Sequence, residues 1–98
     1  MDKDVSLTFN DISILEAVFD IDTKQGFAKS NGTTVKEIQD KTNFSLSKIR
    51  STLQKFKSMG WITEGIKLDK NKTYCVTEEG YLGLNDLSSV TVDKEVLN

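Results

Sequence analysis

Apolar positions along this chain come in short bursts, and their spacing changes once, sharply, near residue 60. Leu46, Ile49, Leu53 and Phe56 recur at intervals of three, four and three, which places them on one face of a helix. Ser45 stands before that run as an N-cap and Gly60 after it as a terminator, so a helix is predicted over 45–60. The pattern then turns to short β-type segments. WITEGIKL, the polar tip DKNK and TYCV read as a two-stranded hairpin. Ile62, Tyr74 and Val76 are expected over the core, and Trp61 where the helix ends.

Before this unit, FNDISILEAVFDI carries a wide apolar stripe. Ile12, Leu15, Val18 and Phe19 share a face, with Ile14 and Ile21 beside it. Thr8 with Asp11 three residues on forms a capping box, and residues 1–7 read as a loose arm. DTKQGFAKSNGT is loop-like, with Phe27 as its anchor to the core and Thr33 as the start of a short strand pairing with the hairpin. Thr34 and Glu37 make a second capping box for the helix VKEIQDKT, which buries Val35 and Ile38 and ends at Asn43, a residue tolerant of positive φ. Phe44 tucks in before Ser45. Two helices joined by so tight a turn form a helix-turn-helix candidate.

After the hairpin, Thr77 caps a last helix, EEGYLGLNDL, whose first-turn Glu78 and Glu79 suit the helix dipole. Gly80 and Gly83 cost about 1 kcal/mol each relative to alanine. This helix is therefore expected to be short or to press closely on a neighbour. The segment 88–98 alternates, with Val90 and Val92 on one side, and reads as a flexible tail or a strand added to a dimer partner.

The 98 residues are 37% hydrophobic, enough for one modest domain spanning 1–98 with its core at about 10–87. No apolar run is long enough to cross a membrane, and MDKDVSLTFN is too acidic for a signal peptide, so a cytoplasmic protein is expected. The single cysteine, Cys75, fits a reducing compartment. The net charge of −2 hides a strong polarity. Residues 34–74 hold nine bases against four acids, and the rest of the chain four bases against eleven acids. Between Asp40 and Glu64 stand five bases and no acid.

That polarity coincides with the helix and the hairpin. Opposite its apolar face the 45–60 helix presents Ser47, Ser51, Gln54, Lys55 and Ser58, flanked by Lys48 on one side and by Arg50 and Lys57 on the other. Small polar side chains allow close approach to base edges, while the flanking cations suit phosphates. A solvated helix would more often mix acids with its lysines. No arginine or asparagine is centred on the face, so readout of sequence by this helix is expected to be modest. The hairpin tip adds Lys67, Lys70, Asn71 and Lys72, which suit a phosphate or minor-groove contact. Asn71 serves equally well as a turn former. Lys41, at the end of the preceding helix, completes the basic set.

Enzyme chemistry finds little support. The chain has no histidine, so its serines lack the commonest activating base. Glu16 and Asp20 read as a solvated pair, and Cys75 as a small core residue. No spacing suggests a metal site or a cofactor.

TTVKEIQDKTNFSLSKIRSTLQKFKSMGWITEG together with KTYCVTEEGYLGL resembles the winged helix-turn-helix superfamily over residues 10–87. The resemblance implies an α+β fold with a three-helix core, a two-stranded β-wing and an additional C-terminal helix. The Lys-, Asn- and Asp-rich, proline-free composition and small size are similar to proteins of plasmids and phages in low-GC Gram-positive bacteria. Conjugation accessory proteins and the centromere-binding partners of tubulin-like segregation systems are the nearest kinds. In some of these the wing, rather than the recognition helix, reads DNA. The implied function is sequence-specific binding of double-stranded DNA as a homodimer on a repeated site, in conjugation, partition or transcription regulation. Other proteins of such complexes are further candidate partners. The contacts would come from Lys41, Ser47, Lys48, Arg50, Ser51, Gln54, Lys55, Lys57, Lys67, Lys70, Asn71 and Lys72. The alternative, drawn from the net acidity and the apolar stripe of the first helix, is a protein-binding module that does not touch DNA.

Overall fold

The computed structural model describes residues 7–97, with side chains described for 7–87. The loose arm expected at the N-terminus therefore falls almost wholly outside the described residues. Four α-helices and three strands follow in the order α1 (Phe9–Val18), β1 (Thr33–Thr34), α2 (Val35–Thr42), α3 (Leu46–Met59), β2 (Ile62–Glu64), β3 (Thr73–Val76) and α4 (Glu78–Leu97), with a 3₁₀ turn at Lys29–Asn31.

The helix starts form as their capping residues dictate. The Thr8 side chain accepts from the Asp11 N–H while the Asp11 carboxylate accepts from the Thr8 N–H. Thr34 and Glu37 repeat this reciprocal pair at the start of α2, and Ser45 accepts from the Lys48 N–H at the start of α3. Asn43, at φ 66°, and Gly60, at φ 80°, end α2 and α3 in the left-handed region. Asn43 is thus the hinge residue of the helix-turn-helix. Gln39 steadies the turn by donating to the Phe44 carbonyl.

The sheet is antiparallel, in the order β1-β3-β2. Thr33 lies opposite Tyr74, and Ile62 opposite Val76. Ile14, Leu15, Val18, Ile38, Ile49, Leu53 and Phe56 from α1–α3 close over Ile62 and Val76, with Leu84 of α4 joining them. Trp61 stacks on Phe56 with ring centroids 5.7 Å apart. Phe27 does anchor its loop: it meets Phe19 and Tyr81 edge-on, and those two meet each other in the same way.

Several expectations need correction. The first helix stops at Val18 rather than running on to Ile21, which is exposed. The Asp20 carboxylate accepts from the Asp22 and Thr23 N–H groups, a local turn that competes with the helix. Leu46 was expected in the core but is 37% exposed, because it sits in the first turn of α3 at the mouth of a groove. The hairpin pairs over fewer residues than expected: Ile66 and Lys67 lie outside the strands, and a single bridge between Leu68 and Asn71 closes the tip.

At the C-terminus the backbone over 88–97 is helical, continuing α4, rather than a strand. No proline or glycine interrupts it after Gly83, and a helix already nucleated gains a hydrogen bond for each residue added. The Val90 and Val92 side chains lie outside the described residues. The two glycines mark a close approach: a Cβ on Gly80 would come within 2.1 Å of the Trp61 carbonyl oxygen, and one on Gly83 within 2.4 Å of its indole. No helix of the described residues is long and apolar enough to cross a membrane.

Candidate nucleic-acid interface

α3 presents an exposed ridge of Ser47, Ser51, Gln54 and Ser58, and the wing rises beside it. Between them lies a groove of about 370 Å³. Its cationic lining comes from Lys36 of α2, Arg50 of α3 and Lys70 and Lys72 of the wing tip, with Asn71 and Tyr74 between. Lys36 bonds Asp40 at 2.9 Å across an exposed helix turn, and Lys72 lies 3.7 Å from Glu64. Among the described residues Arg50, Lys67 and Lys70 have no ion-pair partner.

The remaining bases take other roles. Lys48 and Lys55 both turn towards α1 and bond the Asp11 carboxylate at 2.8 Å each, on separate oxygens. The Thr52 hydroxyl donates to the same carboxylate at 3.2 Å, and the Thr8 N–H at 3.1 Å. Asp11 is only 1% exposed. Burial alone would raise its pKa. The Lys48 and Lys55 ammonium groups and the Thr8 N–H outweigh burial and hold the carboxyl well below its usual range. Lys57 bonds Glu64 at 2.8 Å, and that bond raises its pKa and lowers that of Glu64. Lys41 donates to the Ala17 carbonyl at the C-terminal end of α1.

The acid-free face of α3 is therefore an accident of sequence order. Folding brings Asp11 from α1 and Glu64 from β2 against it. Of the twelve residues expected to meet DNA, Arg50, Lys70, Asn71 and Lys72 converge on one groove. Ser47, Ser51 and Gln54 line the ridge beside it, and Lys67 stands exposed on the wing. Lys48, Lys55 and Lys57 flank the ridge already engaged, and Lys41 faces α1.

Lys36, Gln39 and Tyr74 also line the groove and were not among the expected contacts. Lys36 and Gln39 share a face of α2 three residues apart, a signal that gains meaning only when α2 is placed across α3. Among the described residues no cluster of three or more acidic or thiol side chains could hold a metal.

No protein-family profile and no curated protein matches the chain. Solved structures do. A point mutant of MepR from S. aureus superposes with a TM-score of 0.74 at 13% identity, covering 93% of this chain and 63% of MepR. A MarR-family transcriptional regulator from Rhodococcus sp. RHA1 gives 0.67 at 20% identity, covering 90% of this chain and 56% of the regulator. The DNA-binding TubR fragment from Clostridium botulinum gives 0.64 at 22% identity, covering 85% of this chain and 99% of the fragment.

The fold is a winged helix-turn-helix.

In those terms α2 and α3 are the helix-turn-helix, α3 is its second helix, and β2–β3 with the Leu68–Asn71 tip is the wing. This chain spans about three-fifths of the length of the first two regulators.

Proposed function

We propose that this protein binds double-stranded DNA, with the ridge of α3 facing the bases and the groove between α3 and the wing straddling one phosphate strand. The observation that carries this reading is the convergence of Lys36, Arg50, Lys70 and Lys72 from three separate elements on one groove beside an exposed, uncharged ridge. Arg50 and Lys70 project where a duplex lying on the ridge would place its backbone. Ser47, Ser51 and Gln54 offer short donors and acceptors to base edges. Lys67 and Asn71 at the tip reach the adjacent groove. Lys41, Lys48, Lys55 and Lys57 add to the general positive field.

The protein acts as a homodimer on a repeated site, and its biological setting is a plasmid or other mobile element, in conjugation, partition or transcription regulation. The composition supports this setting, and the likeness to a DNA-binding TubR fragment supports the DNA contact. The dimer contact falls to α4, whose backbone helix runs on to Leu97.

Selection from a random duplex library, followed by a salt titration on the recovered site, tests the reading. A repeated or palindromic motif with a steep salt dependence is expected, at a slope of about 0.9 per phosphate neutralised. Absence of binding even at low salt would refute it.

The second reading is a protein-docking module. Exposed Phe9, Ile21 and Leu82 favour it. Ile14 and Phe19, which that reading also needs on the surface, are buried.

A further inference from the structure

The two flanks of the α3 ridge are built differently, and the DNA-binding reading does not account for the difference. On the wing side Arg50 is open. On the α1 side Lys48 and Lys55, seven residues apart, are both drawn onto Asp11 with Thr52 between them. Asp11 does not need two lysines to be satisfied. Its cap role uses one oxygen and the Thr8 N–H, and the Thr52 hydroxyl serves the other. The lysines in turn are not buried core groups: each side chain keeps 37% of its surface exposed, at the edge of the ridge where a duplex would lie. They stand within reach of a phosphate strand, with a carboxylate already holding them.

We propose that Asp11 is a built-in counterion that competes with DNA phosphate for Lys48 and Lys55 and so holds down the sequence-independent affinity of the recognition helix. The inference rests on the DNA-binding reading above. Binding to DNA of any sequence is dominated by phosphate contacts, which depend on lysines able to release counterions on contact. A lysine held by an internal carboxylate neutralises no phosphate and so releases none of the counterions condensed on DNA. Contact with the backbone through Lys48 and Lys55 therefore requires breaking two charge-assisted bonds to a buried acceptor. Sequence-independent binding is left to the Arg50 and wing side, and the ridge keeps its role at the bases. Asp11 is in this sense a positioning residue: it touches no DNA and acts through the two lysines.

The test compares wild type, Asp11→Asn, Lys48→Gln and Arg50→Gln on a random-sequence duplex across a salt series, with circular dichroism as the check on folding. Asp11→Asn is expected to tighten binding several-fold at low salt and to steepen the log–log salt slope by about 0.9, as Lys48 becomes available to phosphate. Loss of a merely structural residue would weaken binding instead. Lys48→Gln in the wild type is expected to leave the slope unchanged, whereas Arg50→Gln lowers it by about 0.9. Adding Lys48→Gln to Asp11→Asn should remove the gain in slope.

A folded Asp11→Asn protein with wild-type affinity and slope would overturn the proposal. Should that variant fail to fold, Lys48→Gln decides alone: a fall in slope equal to that of Arg50→Gln overturns the proposal, and an unchanged slope supports it. If the wild type binds no duplex at low salt, the DNA reading fails and this inference falls with it. If wild type binds and Arg50→Gln weakens it while Asp11→Asn changes nothing, only this inference falls.

Discussion

Asp11 shows how one residue can tie three elements together. It caps α1, receives Thr52 from the inner face of α3 and holds two lysines from its flank. The spacing of Thr8 and Asp11 made the cap legible, but the lysines lie 37 and 44 residues away, a distance over which no periodicity speaks. The consequence for stability has a definite sign. The folded carboxyl titrates well below its ordinary range, so its contribution is complete above about pH 4 and is lost as the pH falls through the depressed value. Glu37 is lowered too, first by its bond from the Thr34 N–H, and works in the same direction. Urea melts of the wild type between pH 6 and 2 should show stability falling steadily below about pH 4. Asp11→Asn should start less stable at pH 6 by about 1–3 kcal/mol, because it weakens a cap and two ion pairs whose lysines can still reach water. It should also fall less steeply below pH 4. Parallel curves for the two proteins would remove Asp11 from the account of acid sensitivity.

At the scale of elements, most of the chain announced itself. The capping boxes at Thr8 and Thr34, the Ser45 cap, the left-handed Asn43 and Gly60 and the bounds of α2 all follow from local chemistry acting within a few residues. The exceptions have tertiary causes. Glycines in α4 argue for a short helix when each is charged only its propensity, yet α4 runs to Leu97. Trp61 explains why they are there: its carbonyl and indole occupy the space that a Cβ on Gly80 or Gly83 would need. That contact locks the start of α4 onto the exit of α3, where the Thr77 hydroxyl also donates to the Gly60 carbonyl. Gly80→Ala provides a sharp test because two effects oppose each other. Propensity favours alanine by about 1 kcal/mol. The clash is with backbone, which cannot swing aside, and overpacking of this kind costs about 1–3 kcal/mol or more. Thermal and urea melts should show Gly80→Ala less stable than wild type, and the Trp61 fluorescence should shift as the indole is displaced. A stabilised variant would mean that α4 does not press on Trp61. The groove divides along the same line. Its members Arg50, Lys70, Asn71 and Lys72 could be read from the sequence, while its α2 members, Lys36 and Gln39, depend on a helix crossing that no local pattern encodes.

Across the whole molecule the charge polarity of the sequence becomes a division between faces, although folding softens it. The cleft between the end of α1 and α4 is lined by Glu16, Phe19, Asp20, Ile21, Tyr81 and Leu84 and carries no base, whereas the groove beside the wing carries four cations. Of these two hollows the one beside the wing is the basic one, and a polyanion would be drawn to it. The two sides also differ in what holds them. The core residues come from α1–α4 and the paired parts of β2 and β3, while residues 66–72 of the wing are exposed and closed by a single bridge. Stability and DNA affinity are therefore separable at the wing. Changing Lys67, Lys70 and Lys72 together to alanine removes no core contact and breaks one long ion pair, the 3.7 Å contact of Lys72 with Glu64. Such an exposed pair is worth about 0–1 kcal/mol. The melting temperature of the triple variant should stay within about 5 °C of wild type. Its affinity for a selected site, followed by fluorescence anisotropy, should drop steeply, with the salt slope lowered by about 2–3. A triple variant with unchanged affinity and slope would take the wing out of the interface and leave α3 to bind alone. One that melts far lower would show that the wing tip supports the fold, and that the chain has no face reserved for its ligand.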